Sequence, residues 1–343
     1  MRSLSLDDAV EMSNRVRALV VHPGYLGDTV FLGPAVRALK ARWPEAAVGL
    51  CVTPRGEAVA RLLPGCDEVI VYDKRGDDRG LRGLRRVGLR LRAFRPDLAL
   101  VTHYSPRAGV LAWLSGAPRR IGYALLCTER IALDRARPFV DRALVLAKQA
   151  GASGDPALAL RRPAALDRYA EGVLSGARRP VVGVVPGAEW ATKRWGVEPF
   201  SQLVARLERG GATVVLLGGP ADVPLAGRIR ELAGVAVRDT TGNSVAEAIA
   251  VLAACDLVVG GDTGLVHCAR ALGRRTVVLF GPTDPARHRF TDGQCFVATS
   301  LACQPCHDHG PERCPLAHHD CMRRLTVTAV ADAIGALLDA PGP

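Results

Sequence analysis

Residues 16–53 read VRALVVHPGYLGDTVFLGPAVRALKARWPEAAVGLCVT. An apolar run over 16–22 stops at Pro23 and Gly24, an amphipathic stretch covers 28–43, and a second apolar run covers 47–53. Short apolar runs bounded by glycine and proline suit strands buried on both faces, and the middle stretch has helical spacing. A strand, a glycine turn, a helix and a second strand form the repeating unit of a doubly wound parallel sheet.

Working outward, the alternation continues. The pattern predicts helices over 56–63, 79–95 and 106–115 and strands over 68–72 and 98–102. Past Leu133 the periodicity weakens, and Gly151, Ser153, Gly154, Asp155, Pro156 and Pro163 give a linker-like composition. The pattern restarts with strands over 181–185, 213–217, 235–238, 257–260 and 276–280. Helices are predicted over 197–209, 221–233, 245–254, 265–272 and 327–338. We therefore expect an α/β chain of two Rossmann-like doubly wound domains, 1–165 and 166–343, facing across a cleft, with ligands at the carboxyl ends of the strands.

The bulk numbers agree with two cores: 343 residues, 48% hydrophobic and 23% charged. Lys plus Arg outnumber Asp plus Glu by 45 to 34, a net charge of +11, which favours anionic partners. The excess is densest over 79–95, where Arg79, Arg82, Arg85, Arg86, Arg90, Arg92 and Arg95 interleave with leucines as a basic amphipathic helix. This is either a solvated face or a surface for an acidic ligand or membrane. Asp7, Asp8 and Glu11 interrupt any secretory signal, so a cytoplasmic protein is expected, and its ten cysteines should be thiols or metal ligands.

Three strand ends carry candidate chemistry. Gly24 and Gly27 follow the first strand and Asp28 opens the next helix, as an N-cap or as a carboxylate facing the cleft. After 181–185, the turn at Pro186 and Gly187 carries Glu189, Lys193 and Arg194; Lys193 is either a surface lysine or a phosphate partner. After 257–260, Gly261, Asp262, Thr263, Gly264 and Leu265 lead into a helix whose free amides make an anion site, with His267 one turn on. Caps and a core histidine are the plain alternatives there. The glycines match neither G-x-G-x-x-G nor a Walker A loop.

Gly27 and Asp28, PGAEWATKRW at 186–195, DTGLVHCARAL at 262–272 and FGPTDP at 280–285 are collinear, and together they resemble glycosyltransferase family 9, the lipopolysaccharide heptosyltransferases. The resemblance is stronger to the heptosyltransferase II branch. It implies the GT-B arrangement, with ADP-L-glycero-D-manno-heptose bound mainly by residues 166–343 and the acceptor, the lipopolysaccharide inner core, by residues 1–165. Asp28 would then be the general base of an inverting displacement. Lys193 would neutralise the departing ADP, assisted by Thr263, Gly264, Leu265 and His267, and Asp222 would meet the ribose. Gly187, Glu189 and Asp262 complete the implied donor site; Gly27, Arg79, Arg82 and Arg86 serve the acceptor at the anionic inner membrane. No cofactor is expected for catalysis, in keeping with the lack of an Asp-x-Asp motif. Another nucleotide sugar or acceptor is the alternative within the family.

CQPCHDHGPERCPLAHHDC at 303–321 stands apart. Cys303, Cys306, Cys314 and Cys321 have metal-site density, open to a structural zinc, a redox-labile group or an unmetallated loop. A nucleic-acid binder is a further alternative from charge and Cys/His content. Against it stand the lack of a helix-turn-helix signature and an aromatic content of 5%, so no nucleic-acid partner is expected.

Overall fold

The computed structural model describes residues 15–341. Asp7, Asp8 and Glu11, on which the reading of the amino terminus rests, lie outside them. The chain divides into two compact units, the first ending at Arg161 and the second starting at Arg162.

The first unit runs β1 (Arg17–Val21), α1 (Leu26–Val30), α2 (Gly33–Arg42), β2 (Ala47–Val52), α3 (Pro54–Leu62), β3 (Glu68–Val71), α4 (Gly80–Ala93), β4 (Leu98–Val101), α5 (Pro106–Leu114), β5 (Arg119–Gly122), β6 (Glu129–Arg130) and α6 (Phe139–Gln149). Its strands are parallel and ordered β3-β2-β1-β4-β5-β6. Every residue of β2 and β4 is buried, the reason they read as unbroken apolar runs. The single helix expected over 28–43 is two, because Pro34 has no amide hydrogen to continue the first and instead starts α2.

The second unit runs α7 (Asp167–Val173), β7 (Val181–Val185), α8 (Val197–Arg209), β8 (Thr213–Leu216), α9 (Val223–Ala233), β9 (Arg238–Asp239), α10 (Val245–Ala254), β10 (Leu257–Gly261), α11 (Gly264–Ala271), β11 (Arg275–Phe280), β12 (Gln294–Ala298), α12 (Asp320–Arg323) and α13 (Val327–Asp339). The parallel order β12-β11-β10-β7-β8-β9 repeats the first winding, counted from β7. The strand expected over 235–238 shrinks to Arg238–Asp239, while Val235 and Val237 pack against the core cluster. The expected α/β class with two doubly wound units is thus observed.

Each sheet reverses direction between its first and fourth strands, β1 and β4 in one unit and β7 and β10 in the other. Loops leaving the carboxyl ends of such a pair diverge and leave a crevice between them. Among the described residues, no helix is long and apolar enough to cross a membrane.

Candidate active site

At the second reversal point, the loop after β7 meets the loop after β10. Lys193 Nζ donates to Asp262 Oδ2 at 2.6 Å and to the Asp262 carbonyl at 3.1 Å. Thr283, in the loop after β11, donates to the same Oδ2 at 2.8 Å, and His267 Nε2 pairs with Oδ1 at 2.9 Å. His288 stacks on His267 with centroids 4.9 Å apart, its Nε2 3.4 Å from Asp262 Oδ1. Arg270 Nη1 reaches His267 Nδ1 at 3.3 Å, and its guanidinium lies over Phe290. Asp262, Thr283, His267, Arg270 and His288 are all buried.

Ionisation follows from this packing. Burial would raise the Asp262 carboxyl, but Lys193, His288 and His267 outweigh it and hold the group well below the usual carboxylate range. Burial dominates at the histidines: His267 is lowered despite its bond to Asp262, and His288 is lowered further. Burial brings Arg270 down to about 10. A neutral His267 that receives an Arg270 hydrogen at Nδ1 carries its own on Nε2, directed at Asp262.

Asp262, His267 and His288 are the one trio among the described residues whose His, Cys or carboxylate ligand atoms lie within 4.8 Å of one another. They do not fit a divalent ion. The Lys193 ammonium already serves the Asp262 carboxylate, and Arg270 presses on the far side of His267. An added cation would be repelled by both.

The predicted donor-site residues gather around this point. Gly187 is a close approach: a Cβ there would lie 2.1 Å from Asp222 Oδ1. Asp222 also accepts from the Gly219 amide at 2.9 Å. Its carboxyl is raised by burial, with Arg194 opposing and Glu189 reinforcing the shift, so the Glu189 turn and Asp222 share one neighbourhood. Thr263 is the N-cap of α11, though without a side-chain cap bond, and Gly264 and Leu265 open that helix.

The cysteine segment adjoins the same loops. Gly310 lies against the Lys193 stem, where a Cβ would be 3.1 Å from Lys193 Cγ, and Thr192 donates to the Pro311 carbonyl. His319 Nε2 pairs with the Thr192 carbonyl at 2.8 Å, the Cys306 amide bonds Pro282, and Asp308 pairs with Arg287 at 2.7 Å. Cys303, Cys306 and Cys314 all act on the Cys321 thiol, which burial and their charge push up to about 11.

At the first reversal point, Asp28 sits in the first turn of α1, where Oδ2 accepts the Tyr25 amide at 3.1 Å. The N-cap is Tyr25, so Asp28 closes the turn from inside and is not the cap. Its side chain is 23% exposed, beside His22. Gly27 precedes it in α1.

On α4, Gly83, Val87, Gly88 and Leu91 face inward. Asp78, 4% exposed, draws Arg86 and Arg90 onto its two oxygens at 2.8 Å each. Arg79, Arg82 and Arg85 are exposed, and so are Leu81 and Leu89.

Sequence reasoning singled out Asp262, Lys193 and His267 but missed Thr283, Arg270, His288 and His22. Thr283 stands in the quoted FGPTDP just past a strand end, an available signal; Arg270 stands in DTGLVHCARAL but in the last turn of α11, away from the strand end. His288 had none, because only the turn Pro285–Arg287 returns it to Asp262.

The family model described as Glycosyltransferase family 9 (heptosyltransferase) matches residues 84–313. The chain is 29% identical over 301 residues to lipopolysaccharide heptosyltransferase 2 of Salmonella typhimurium, covering 79% of this chain and 84% of that one. Two solved structures share the fold. One is the glycosyl transferase family 9 protein of Veillonella parvula, with TM-score 0.83 and 22% identity over 94% of this chain and 97% of that one. The other is Escherichia coli ADP-heptose LPS heptosyltransferase II, with TM-score 0.76 and 24% identity over 94% and 98%.

Proposed function

Because the chain belongs to glycosyltransferase family 9, the heptosyltransferases, and is therefore a glycosyl-transferring enzyme, we propose that it moves L-glycero-D-manno-heptose from ADP-heptose onto the inner core of lipopolysaccharide with inversion. The observation that carries the reading is the part-buried ammonium of Lys193, fixed by Asp262 at the β7 and β10 reversal point. A cation held there, beside the amino end of α11, suits a diphosphate leaving group.

In this reading Asp28 takes the proton of the acceptor hydroxyl as that oxygen bonds to the anomeric carbon. The bond to ADP breaks on the opposite face, and ADP departs with the electron pair. A base of this kind supplies about 100- to 10,000-fold in rate. Lys193, the amides of Gly264 and Leu265 and the Thr263 hydroxyl offset the charge that grows on the leaving phosphate, which makes a catalytic metal unnecessary. Glu189, Gly187 and Asp222 line the nucleoside side, with Asp222 toward the ribose. His267 keeps Asp262 oriented.

The first unit takes the acceptor at the cytoplasmic face of the inner membrane, with Gly27 near the reacting hydroxyl. Arg79 and Arg82 face the anionic lipid, while Arg86 is shared with Asp78. A structural zinc at Cys303, Cys306, Cys314 and Cys321 belongs to the same proposal. Cys303, Cys306 and Cys314 act on the Cys321 thiol, and those three lie in a stretch, 299–319, without helix or strand.

The test is incubation with ADP-heptose and a Kdo-lipid A or singly heptosylated acceptor, comparing wild type with Asp28→Ala and Lys193→Ala. Heptose transfer by wild type, reduced at least about 100-fold in each variant, is expected. No transfer to either acceptor overturns the donor and acceptor assignment. Full activity of Asp28→Ala removes the base.

A further inference from the structure

We infer that His22 is a positioning residue for Asp28, its Nε2 hydrogen holding the carboxylate in orientation and favouring its ionised form. The inference rests on the reading of Asp28 as the base.

Four contacts pin the loop that carries both groups. The His22 amide donates to the Cys51 carbonyl at 2.9 Å, and the Gly24 amide to the His22 carbonyl at 2.8 Å. Thr53 Oγ1 donates to the Gly24 carbonyl at 2.9 Å and Lys74 Nζ to the Pro23 carbonyl at 2.8 Å. The ring is fixed as well. Nδ1 pairs with Thr102 Oγ1, just beyond β4, at 2.8 Å. Nε2 is buried, makes no hydrogen bond among the described residues, and faces Asp28 Oδ2 at 3.7 Å. Gly24 keeps that gap open, since a Cβ there would lie 2.4 Å from His22 Nε2 and 2.9 Å from Asp28 Oδ2. Any other residue would part the two groups.

Thr102 sets which ring nitrogen carries the hydrogen of the neutral ring. When its hydroxyl donates to Nδ1, the neutral ring carries its hydrogen on Nε2. When the hydroxyl turns to the Val21 carbonyl, 3.3 Å away, Nδ1 becomes the donor. That tautomer leaves Nε2 without a hydrogen. In the first arrangement a hydrogen points at Asp28 Oδ2 across 3.7 Å. Charged groups around the pair include Lys74, which senses Asp28, with Arg75 and Arg107 beside that lysine; the His103 ring stands 5.3 Å from His22.

The experiment compares His22→Leu, His22→Gln and Asp28→Asn in steady-state transfer over a pH series. His22→Leu should lower kcat about tenfold, the worth of a hydrogen bond to a charged group, with KM for both substrates within about twofold. The acid limb of kcat/KM should move to higher pH, because the carboxylate loses a donor that favours ionisation. His22→Gln, with an amide hydrogen where Nε2 stands, should restore most of kcat. Wild-type kcat and acid limb in His22→Leu would overturn the inference. So would equal losses of activity and Tm in the leucine and glutamine variants, which mark a packing role. If Asp28→Asn is inactive while His22→Leu is unchanged, only the role of His22 fails; if Asp28→Asn is fully active, the base reading fails with it.

Discussion

Lys193 Nζ stands 2.6 Å from Asp262 Oδ2, with the lysine side chain 12% and the aspartate 7% exposed. The pair bridges the loops after β7 and β10, so chain segments 69 residues apart converge on one part-buried contact. Breaking such a pair from one side leaves a charge without its partner, at a cost of about 3–5 kcal/mol. Lys193→Ala should therefore destabilise the chain as well as slow transfer. The Lys193→Met, Asp262→Asn double variant should recover part of that loss. Urea unfolding of the single and double variants measures the coupling, and purely additive losses would show that the contact does not hold the loops together.

His267 and His288 give the same region a pH dependence with a definite sign. Both are lowered from 6.5 by burial, so in the folded chain they stay neutral where the unfolded chain already binds protons. Stability is present above about pH 6.5 and falls as pH drops below it, since protons then favour the unfolded state. Asp262, also lowered, adds a second loss only in strong acid, below the usual carboxylate range. Urea midpoints measured from about pH 8 to about pH 5.5 should fall for wild type and flatten for His288→Phe. Equal slopes in the two would place the titrating group elsewhere.

The alternation of strand and helix was legible because β2, β4, β7, β8 and β10 are buried on both faces and so read as apolar runs. What escaped lies near the sheet edges and in the stretch past Leu133, where α6 (Phe139–Gln149) and α7 (Asp167–Val173) stand. β5 begins with Arg119 and Arg120, whose side chains bond to Glu129 and to the Ala117 and Leu126 carbonyls, and β6 is two residues long. Neither has the apolar signature that burial imposes on a central strand. The site divides in a similar way. Asp28, Lys193 and Asp262 follow the first and fourth strands of their sheets, where a glycine turn marks them. His22, His288 and Arg270 take their meaning from distance in space: Thr102 is 80 residues from the His22 ring it orients.

The α4 face separates two kinds of arginine. Arg86 and Arg90 hold Asp78, whose carboxyl burial would raise but which these arginines and a backbone hydrogen bond lower. Arg82 and Arg85 stand exposed among Leu81 and Leu89. Each basic residue near an anionic bilayer is worth about 1 kcal/mol, so Arg82→Glu with Arg85→Glu should weaken binding to phosphatidylglycerol vesicles at least tenfold. Raised salt should mimic the effect. Arg86→Ala should instead act on stability. Unchanged vesicle cosedimentation in the double glutamate variant would remove this helix from the membrane.

The segment from Cys303 to Cys321 should act on the proposed donor site through contact, because Gly310 backs the Lys193 stem and Pro311 and His319 hold Thr192. Gly310 has φ +91°, a conformation that other residues adopt at a cost of about 1–3 kcal/mol, and an added Cβ would press on Lys193 at 3.1 Å. Gly310→Ala should thus weaken ADP binding, read by calorimetry, while leaving the first unit unaffected. If zinc gathers the four thiols, elemental analysis should find about one zinc per chain, absent in Cys303→Ser, Cys306→Ser. Chelation should then reproduce the ADP-binding defect of Gly310→Ala, since both loosen the same clamp on Lys193 and Thr192. Zinc-free protein with unchanged ADP affinity would show that the segment holds these loops by packing and hydrogen bonds alone.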